Sequence, residues 1–352
     1  MAGDSMAMAW PDVLTALVER RDLDRATTQW AMDTILAGEA TSAQIAAFAV
    51  ALRSKGETLD ELQGLVDAML GRAKRLNLDE RAVDIVGTGG DRAKTVNISS
   101  MAAVVTAGAG VGVIKHGNRA ASSASGTADV FEHLQIALDV PTDRVLDVYR
   151  EAGITFCFAP LFHGSMRHAG PTRGELAIPT FFNFLGPLTN PAQPQASAIG
   201  CFDERMAPLM AGVFAARGAD AFVFRGDDGL DELTTATTSQ VWIVSGGQVA
   251  QETFDPQEVG LALSAPDALR GGDPAFNADV FRRVVGGETG PVRDAVVLNA
   301  GAAIAAHEAT EGSLVDRIAA GMARATESID SGAASATLQK WSDATQHLRD
   351  SN

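Results

Sequence analysis

The chain has 352 residues, 46% apolar and 20% charged, enough for one large or two smaller buried cores and with no polar tract of the kind that stays disordered. Basic residues number 28 against 44 acidic ones, and the resulting charge of −16 argues against nonspecific binding to nucleic acid or anionic lipid. The first residues lack a basic segment leading into an apolar stretch, and no apolar run reaches about 18 residues, so neither a signal peptide nor a membrane span is expected and a cytoplasmic address fits.

Residues 1–78 are predicted to be helical. Pro11 suits a first helical turn, Asp24 caps a second helix that Gly38 ends, and Thr41 caps a third that closes near Gly56. Thr58 and Glu61 form a capping-box pattern for a fourth. The pattern changes at about residue 82. Short apolar strands are predicted at 82–86, 111–114, 154–158, 197–202 and 221–225, with helical stretches between them, among them 97–110, 142–152 and 205–216. Strands 241–244 and 248–254, joined by Ser-Gly-Gly, make a hairpin, and the chain is largely helical again from about 275. The expected fold class is α/β: a small N-terminal α-helical domain followed by a large, mostly parallel, doubly covered sheet. The segment 171–190, with Pro171, Pro179 and Pro187, interrupts the alternation and is expected to return to the N-terminal helices, leaving 79–170 and 191–352 as the large domain. Cys157 and Cys201 sit in apolar runs and read as buried free thiols.

Four segments carry chemistry. Gly87-Thr88-Gly89-Gly90-Asp91 follows a strand and precedes a helix, where glycines let the backbone approach a ligand and N–H groups favour an anion; a tight structural turn is the other reading. In Asn97-Ile98-Ser99-Ser100, either Asn97 or Ser99 can cap the next helix, or the hydroxyls can meet phosphate oxygens or Mg²⁺. Lys115-His116-Gly117-Asn118-Arg119, placed just after strand 111–114, puts two cations at a sheet edge of a strongly acidic chain, and Ser122, Ser123, Ser125 and Thr127 continue it. Asp227, Asp228, Asp231 and Glu232 repel one another unless cations intervene, and oxygen ligands suit Mg²⁺ when a phosphorylated substrate completes the shell; a solvated acidic loop is the alternative. Ahead of the aromatic run at 181–184, His163, Arg167, His168 and Arg173 offer an arginine for a carboxylate beside rings that would pack on an aromatic ligand.

Taken together, the segments DIVGTGGD, NISS, KHGNRAASSASGTAD, FAPLFH, RHAGPTR, FNFLGPLTNP and GDDGLDELT resemble the anthranilate phosphoribosyltransferase family in order and spacing through most of the chain. Pyrimidine nucleoside phosphorylases share the glycine loop and part of the Lys-His-Gly-Asn-Arg region, but the later motifs favour the anthranilate enzymes. The resemblance implies a nucleoside phosphorylase/phosphoribosyltransferase-like fold, usually a homodimer assembled through the small domains, with Mg²⁺ as cofactor and anthranilate and phosphoribosyl pyrophosphate as substrates in tryptophan biosynthesis. It implies phosphoribosyl pyrophosphate contacts at Gly87, Gly90, Asp91, Thr95, Asn97, Ser99, Ser100, Lys115, Asn118, Arg119, Ser122, Ser123 and Thr127. It implies anthranilate contacts at Gly87, His116, Asn118, His163, Arg173, Gly186 and Pro187, and Mg²⁺ ligands at Ser99, Asp231 and Glu232, with no residue assigned as general base. Three positions depart from the family pattern: Arg92 stands where glycine is expected, Ser100 where threonine is frequent, and Ala124 where lysine is common. No nucleic-acid or membrane partner is expected.

Overall fold

The computed structural model describes residues 8–119, 125–265 and 267–350. Four helices lead the chain: α1 (Trp10–Val18), α2 (Arg25–Ala37), α3 (Ser42–Lys55) and α4 (Leu59–Arg72). Their ends follow the sequence signals. Asp24 accepts the Thr27 N–H at 2.7 Å, Gly38 leaves α2 with φ 77°, and Thr41 with Gln44 and Thr58 with Glu61 close reciprocal capping boxes. Glu61 also takes the Leu23 N–H at 2.9 Å and Lys55 Nζ at 3.0 Å, so one buried carboxylate joins three segments of the bundle.

Strand and helix then alternate: β1 (Val83–Gly87), α5 (Ile98–Gly108), β2 (Val113–Gly117), α6 (Thr127–His133), α7 (Val145–Ala152) and β3 (Ile154–Phe158). Three short helices follow, α8 (Ala159–Phe162), α9 (Gly170–Leu176) and α10 (Phe182–Leu188), before β4 (Ala196–Gly200), α11 (Met206–Ala216), β5 (Asp220–Gly226), β6 (Ser239–Ser245) and β7 (Gln248–Phe254). The chain closes with α12 (Pro274–Val285), α13 (Pro291–Glu308), α14 (Leu314–Asp330) and α15 (Ala333–Asp350). One seven-stranded sheet runs β3-β2-β1-β4-β5-β6-β7. The first five strands are parallel and the last two antiparallel. The β6–β7 hairpin turns at Gly246 (φ 56°) and Gly247 (φ 76°), the positive-φ pair that a two-residue turn of matching twist requires.

Both faces of the sheet are covered, as the alternation of strand residues demands. Phe222 and Phe224 of β5 enter the core shared with α5, α12, α13, α14 and α15, while Ala221 and Val223 enter the core shared with α11 and the N-terminal helices. Phe181, just before α10, packs its ring edge-on to Phe48 of α3 at 5.5 Å, and Phe182, Phe184 and Leu185 lie in that second core.

The strand expected at 111–114 is displaced. β2 runs Val113–Gly117, so Lys115 and His116 are strand residues and not part of a loop after it. Their polarity suggests a loop, but both are buried in the sheet layer, where Lys115 Nζ finds the Ile85 carbonyl and His116 Nδ1 the Gly186 carbonyl, which offsets part of the penalty that normally keeps such residues outside. Other boundaries differ by one to three residues: β4 starts at Ala196 and ends at Gly200, and α7 begins only at Val145, after a turn.

Candidate active site

The C-terminal ends of β1, β2, β4 and β5 bring the glycine loop, the start of α5 and the acidic loop together, where ligands of open parallel sheets bind. Gly89 and Gly90 adopt φ 66° and 94°, and the Gly89 N–H donates to Asp231 Oδ2 at 2.6 Å. A Cβ on Gly87 would overlap that same carboxylate, so the close approach requires glycine. On its other side the loop is tied to β4: the Thr88 N–H donates to the Gly200 carbonyl at 2.9 Å, and Thr88 Oγ1 accepts the Phe202 N–H at 3.2 Å.

The four acids after β5 divide into two pairs. Asp227 accepts from Thr238 Oγ1 at 2.5 Å, and Asp228 accepts from Thr234 Oγ1 at 2.8 Å and from the Leu230 N–H at 3.2 Å, so these two build the turn. Asp231 and Glu232 are buried and face the glycine loop and the first turn of α5. Burial raises both above the ordinary carboxylate range; Asp91 adds to it for Asp231, and Asp231 adds to it for Glu232, whereas the Ser99 N–H acts the other way on Glu232. Lys115 Nζ donates to the Ile85 carbonyl and, at 3.3 Å, to Ser99 Oγ. Burial pushes this lysine down, and Asp84, Glu232 and Asp231 hold it up. One ammonium thus faces several carboxylates, a surplus of negative charge on hard oxygen donors that suits a divalent cation such as Mg²⁺. Among the described residues no group of three or more acids, histidines or cysteines is arranged to hold a metal alone. A cation here would draw further oxygens from a ligand.

The structure brings Gly87, Asp91, Ser99, Lys115, Asp231 and Glu232 together, with Gly90 beside them on the glycine loop. Ser100 Oγ donates to Thr127 Oγ1 at 3.3 Å, which sets the starts of α5 and α6 side by side. Asn97 precedes α5 without capping it through its side chain; it instead donates to the Ser125 carbonyl at 3.4 Å and accepts from Asn277 at 2.9 Å. Thr95 forms an isolated antiparallel bridge with Arg270. Asn118 accepts the Arg119 N–H at 2.8 Å, while Arg119 itself is held by Asp129 at 2.9 Å and Glu132 at 2.7 Å. Ser122 and Ser123, with Ala124, lie outside the described residues.

The second half of the site is apolar and cationic. His116 Nδ1 meets the Gly186 carbonyl at 2.8 Å, His163 Nε2 meets the Thr189 carbonyl at 2.9 Å, and the two rings lie 5.1 Å apart. Burial lowers His116 to about 3, with His163 adding to the effect, and lowers His163 to about 4, so both imidazoles are neutral at pH 7. The carbonyl at Gly186 therefore fixes a proton on His116 Nδ1 and leaves Nε2 as a buried acceptor without a partner among the described residues. Arg173 lies over the Phe182 ring at 5.1 Å, its basicity lowered by burial, and no carboxylate among the described residues pairs with it. Gly186 and Pro187 belong to α10.

Sequence reasoning missed three supports. Asp84 is buried in β1, pushed up to about 6 by burial, and accepts the His116 N–H at 3.1 Å and Asn190 Nδ2 at 2.8 Å. Asn190 also donates to the Ile114 carbonyl at 2.8 Å, fixing β2 against the segment after α10. The available signals were a lone acid inside the apolar run AVDIV and an asparagine locked before Pro191. Phe202, read as the end of a strand, lies between the glycine loop and α10.

Residues 79–335 match the model of the glycosyl transferase family a/b domain, and residues 11–73 match that of the glycosyl transferase family helical bundle domain. The chain is similar to an anthranilate phosphoribosyltransferase of Nocardioides sp., with 59% identity over 96% of this chain and 98% of that one. It is equally similar, at 59%, to an anthranilate phosphoribosyltransferase of Arthrobacter sp. over 94% and 95% of the two chains. Among solved structures it resembles the anthranilate phosphoribosyltransferase of Thermus thermophilus (TM-score 0.88, 38% identity, 95% and 99% of the two chains). It also resembles the Saccharomyces cerevisiae anthranilate phosphoribosyltransferase in complex with PRPP and Mg (TM-score 0.87, 26% identity, 96% and 98%).

Proposed function

The chain belongs to the anthranilate phosphoribosyltransferase family, and from that premise we propose how its residues divide the reaction. The enzyme is a glycosyltransferase that moves the phosphoribosyl group of phosphoribosyl pyrophosphate to the amine of anthranilate, releasing pyrophosphate, a step of tryptophan biosynthesis. The observation that carries the residue assignment is the meeting of Asp231 with the glycine loop and of Glu232 with Ser99, over Lys115.

On this reading Gly87, Gly90, Asp91, Ser99, Ser100, Lys115 and Thr127 hold phosphoribosyl pyrophosphate, with contributions from Thr95, Asn97, Asn118 and Arg119, and the resemblance assigns Ser122 and Ser123 to the same substrate. Backbone N–H groups of the loop and the start of α5 face its anionic groups. Ser99, Asp231 and Glu232 are the residues that would hold Mg²⁺. The chemistry supplied by the bound ion is neutralisation of charge on the departing pyrophosphate. Arg173 takes the anthranilate carboxylate, and Phe182 with Pro187 confines its ring. Gly87, Asn118, His116, His163 and Gly186 border the same space. The aniline nitrogen attacks ribose C1 as the C1–O bond to pyrophosphate breaks. That nitrogen becomes acidic as its bond forms, so no strong base is needed, and the protein's task is to align two anions and exclude water.

Residues 1–78, whose described part carries α1 to α4, form the smaller domain with 171–190 in this reading, and 79–170 with 191–352 the larger. A homodimer through the helical bundle accords with the exposed apolar Val18 on α1 and Val50 on α3. A cytoplasmic location accords with a biosynthetic role.

The test is the loss of anthranilate fluorescence when purified protein is mixed with phosphoribosyl pyrophosphate and Mg²⁺, with EDTA in a parallel sample. Mg²⁺-dependent consumption with stoichiometric pyrophosphate is expected. No consumption by folded protein that still binds the sugar phosphate would point to another acceptor.

A further inference from the structure

Phe202 stands where three parts of the molecule meet. Its backbone is clamped on both sides: its N–H donates to Thr88 Oγ1 at 3.2 Å, and its carbonyl accepts Arg225 Nε at 2.9 Å. Its ring lies against Gly90 of the glycine loop, where a Cβ would come 3.0 Å from Phe202 Cε1. The other neighbour of the ring is Phe184 of α10, stacked at 5.4 Å with an interplanar angle of 19°. The helix carrying Phe184 also presents Gly186, whose carbonyl orients His116 at 2.8 Å, and its first residue, Phe182, lies beneath the Arg173 guanidinium. The next residues anchor the same turn to the helical bundle: Asp203 pairs with Arg53 of α3 at 2.7 Å, and Arg205 pairs with Glu57 at 2.6 Å.

These contacts leave little freedom. Gly90 holds φ 94° with a ring packed on its Cα, so a shift of the loop by a few tenths of an ångström has to move the ring or open a gap. Phe184 is fully buried, so the stacked partner transmits that shift to α10. We propose that Phe202 is a positioning residue through which occupancy of the glycine loop sets the placement of α10, so that filling the pyrophosphate side changes the affinity of the acceptor side. The proposal rests on the two-sided site described above. It assigns Phe202 no contact with either substrate.

The test measures anthranilate affinity by its fluorescence, with and without saturating Mg²⁺–pyrophosphate, in the full-length protein and in Phe202→Leu. Coupling between sites is typically about 5-fold or more. We expect such a factor in the parent and less than about 2-fold in Phe202→Leu, with the separate affinities each within a few fold. Phe184→Leu, which removes the stack from the other side, should abolish the coupling equally, and the double variant should add nothing further. Phe202→Tyr, which keeps the ring, should restore it. A folded Phe202→Leu protein that keeps the parent's coupling factor overturns the proposal, as does a parent that binds both ligands independently. A parent that binds neither ligand overturns the assignment of the site and this proposal with it.

Discussion

Gly200 at the end of β4 presses directly on the backbone of Asp231: a Cβ at position 200 would fall inside the carbonyl group of Asp231 and within 3.1 Å of the Glu232 nitrogen. The obstacle is main chain, which no rotamer change relieves. Gly200→Ala should therefore cost roughly 1–3 kcal/mol of stability through overpacking and displace the acidic loop. Gly71, near the end of α4, is the control: a methyl group there would meet nothing within 4 Å, and Gly71→Ala should gain roughly 0.5–1 kcal/mol. Urea unfolding of the two variants would measure both effects; a neutral Gly200→Ala would contradict the close contact.

Asp231→Asn and Glu232→Gln test the metal assignment. Each removes a carboxylate that burial and neighbouring acids hold above the ordinary range. The variants should need at least about ten-fold more Mg²⁺ for half-maximal rate and lose turnover by on the order of 100-fold, a range usual for removing charge stabilisation at a reacting centre. Initial rates across a Mg²⁺ series decide it. An unchanged profile in both would reject the ligand set.

The parts of the fold written in periodicity and punctuation were legible in the sequence, and the parts written in burial were not. Asp24, Thr41 and Thr58 announce helix starts because capping is local chemistry. The parallel sheet follows from strands alternating with helices. Lys115 and His116 misled the strand boundary because their pairing with Ile85, Ser99 and Gly186 is tertiary, and a side chain's charge says nothing of distant partners. Within the site, the glycine loop and the acidic run stand out by composition. That Asp227 and Asp228 serve the turn while Asp231 and Glu232 face the glycine loop and α5 depends on Thr234 and Thr238, which composition does not single out.

Arg173 should govern anthranilate more than the sugar phosphate. Its guanidinium lies on Phe182 and has no carboxylate partner among the described residues, a cost that a ligand carboxylate would offset. Arg173→Ala should raise the anthranilate KM by about 10-fold or more, the loss usual for a charge-assisted contact of roughly 1.5–3 kcal/mol, with the phosphoribosyl pyrophosphate KM nearly unchanged. Lysine should restore only part, because it lacks the planar fork. Equal rises in both KM values would argue against a direct contact.

His163 supplies a pH signature. Burial lowers it from 6.5 to about 4, so between those values the unfolded chain binds a proton that the native state does not. This contribution to stability is complete above pH 6.5 and is lost as pH falls through that window, at up to about 1.4 kcal/mol per pH unit. His163→Gln keeps an N–H for the Thr189 carbonyl but cannot titrate. Its unfolding free energy should fall less steeply than the parent's from about pH 6.5 to about 4.5, by roughly 1 kcal/mol per unit. Parallel curves for the two proteins would show that the imidazole does not stay neutral in the fold.

Arg92 stands in the glycine loop at a position where the resemblance leads to an expectation of glycine, and the backbone there favours glycine. Arg92 has φ 62°, and Lys94 two residues on has φ 55°, in a region that costs a side-chain-bearing residue about 1–2 kcal/mol. Arg92→Gly relieves that strain and gives back part of it, roughly 0.5–1 kcal/mol, to the freer unfolded chain. The net expectation is a protein more stable by a few tenths to about 1 kcal/mol. Arg92→Ala removes the charge but keeps the strain, so its unfolding midpoint should stay near the parent's. If the exposed guanidinium also draws in phosphoribosyl pyrophosphate, both variants should raise that substrate's KM, and more so at low salt. A stability gain confined to glycine, with a KM rise shared by both, would mean that the loop keeps a strained arginine for its charge. A gain in glycine with no KM change in either would make the strain a cost without a catalytic return.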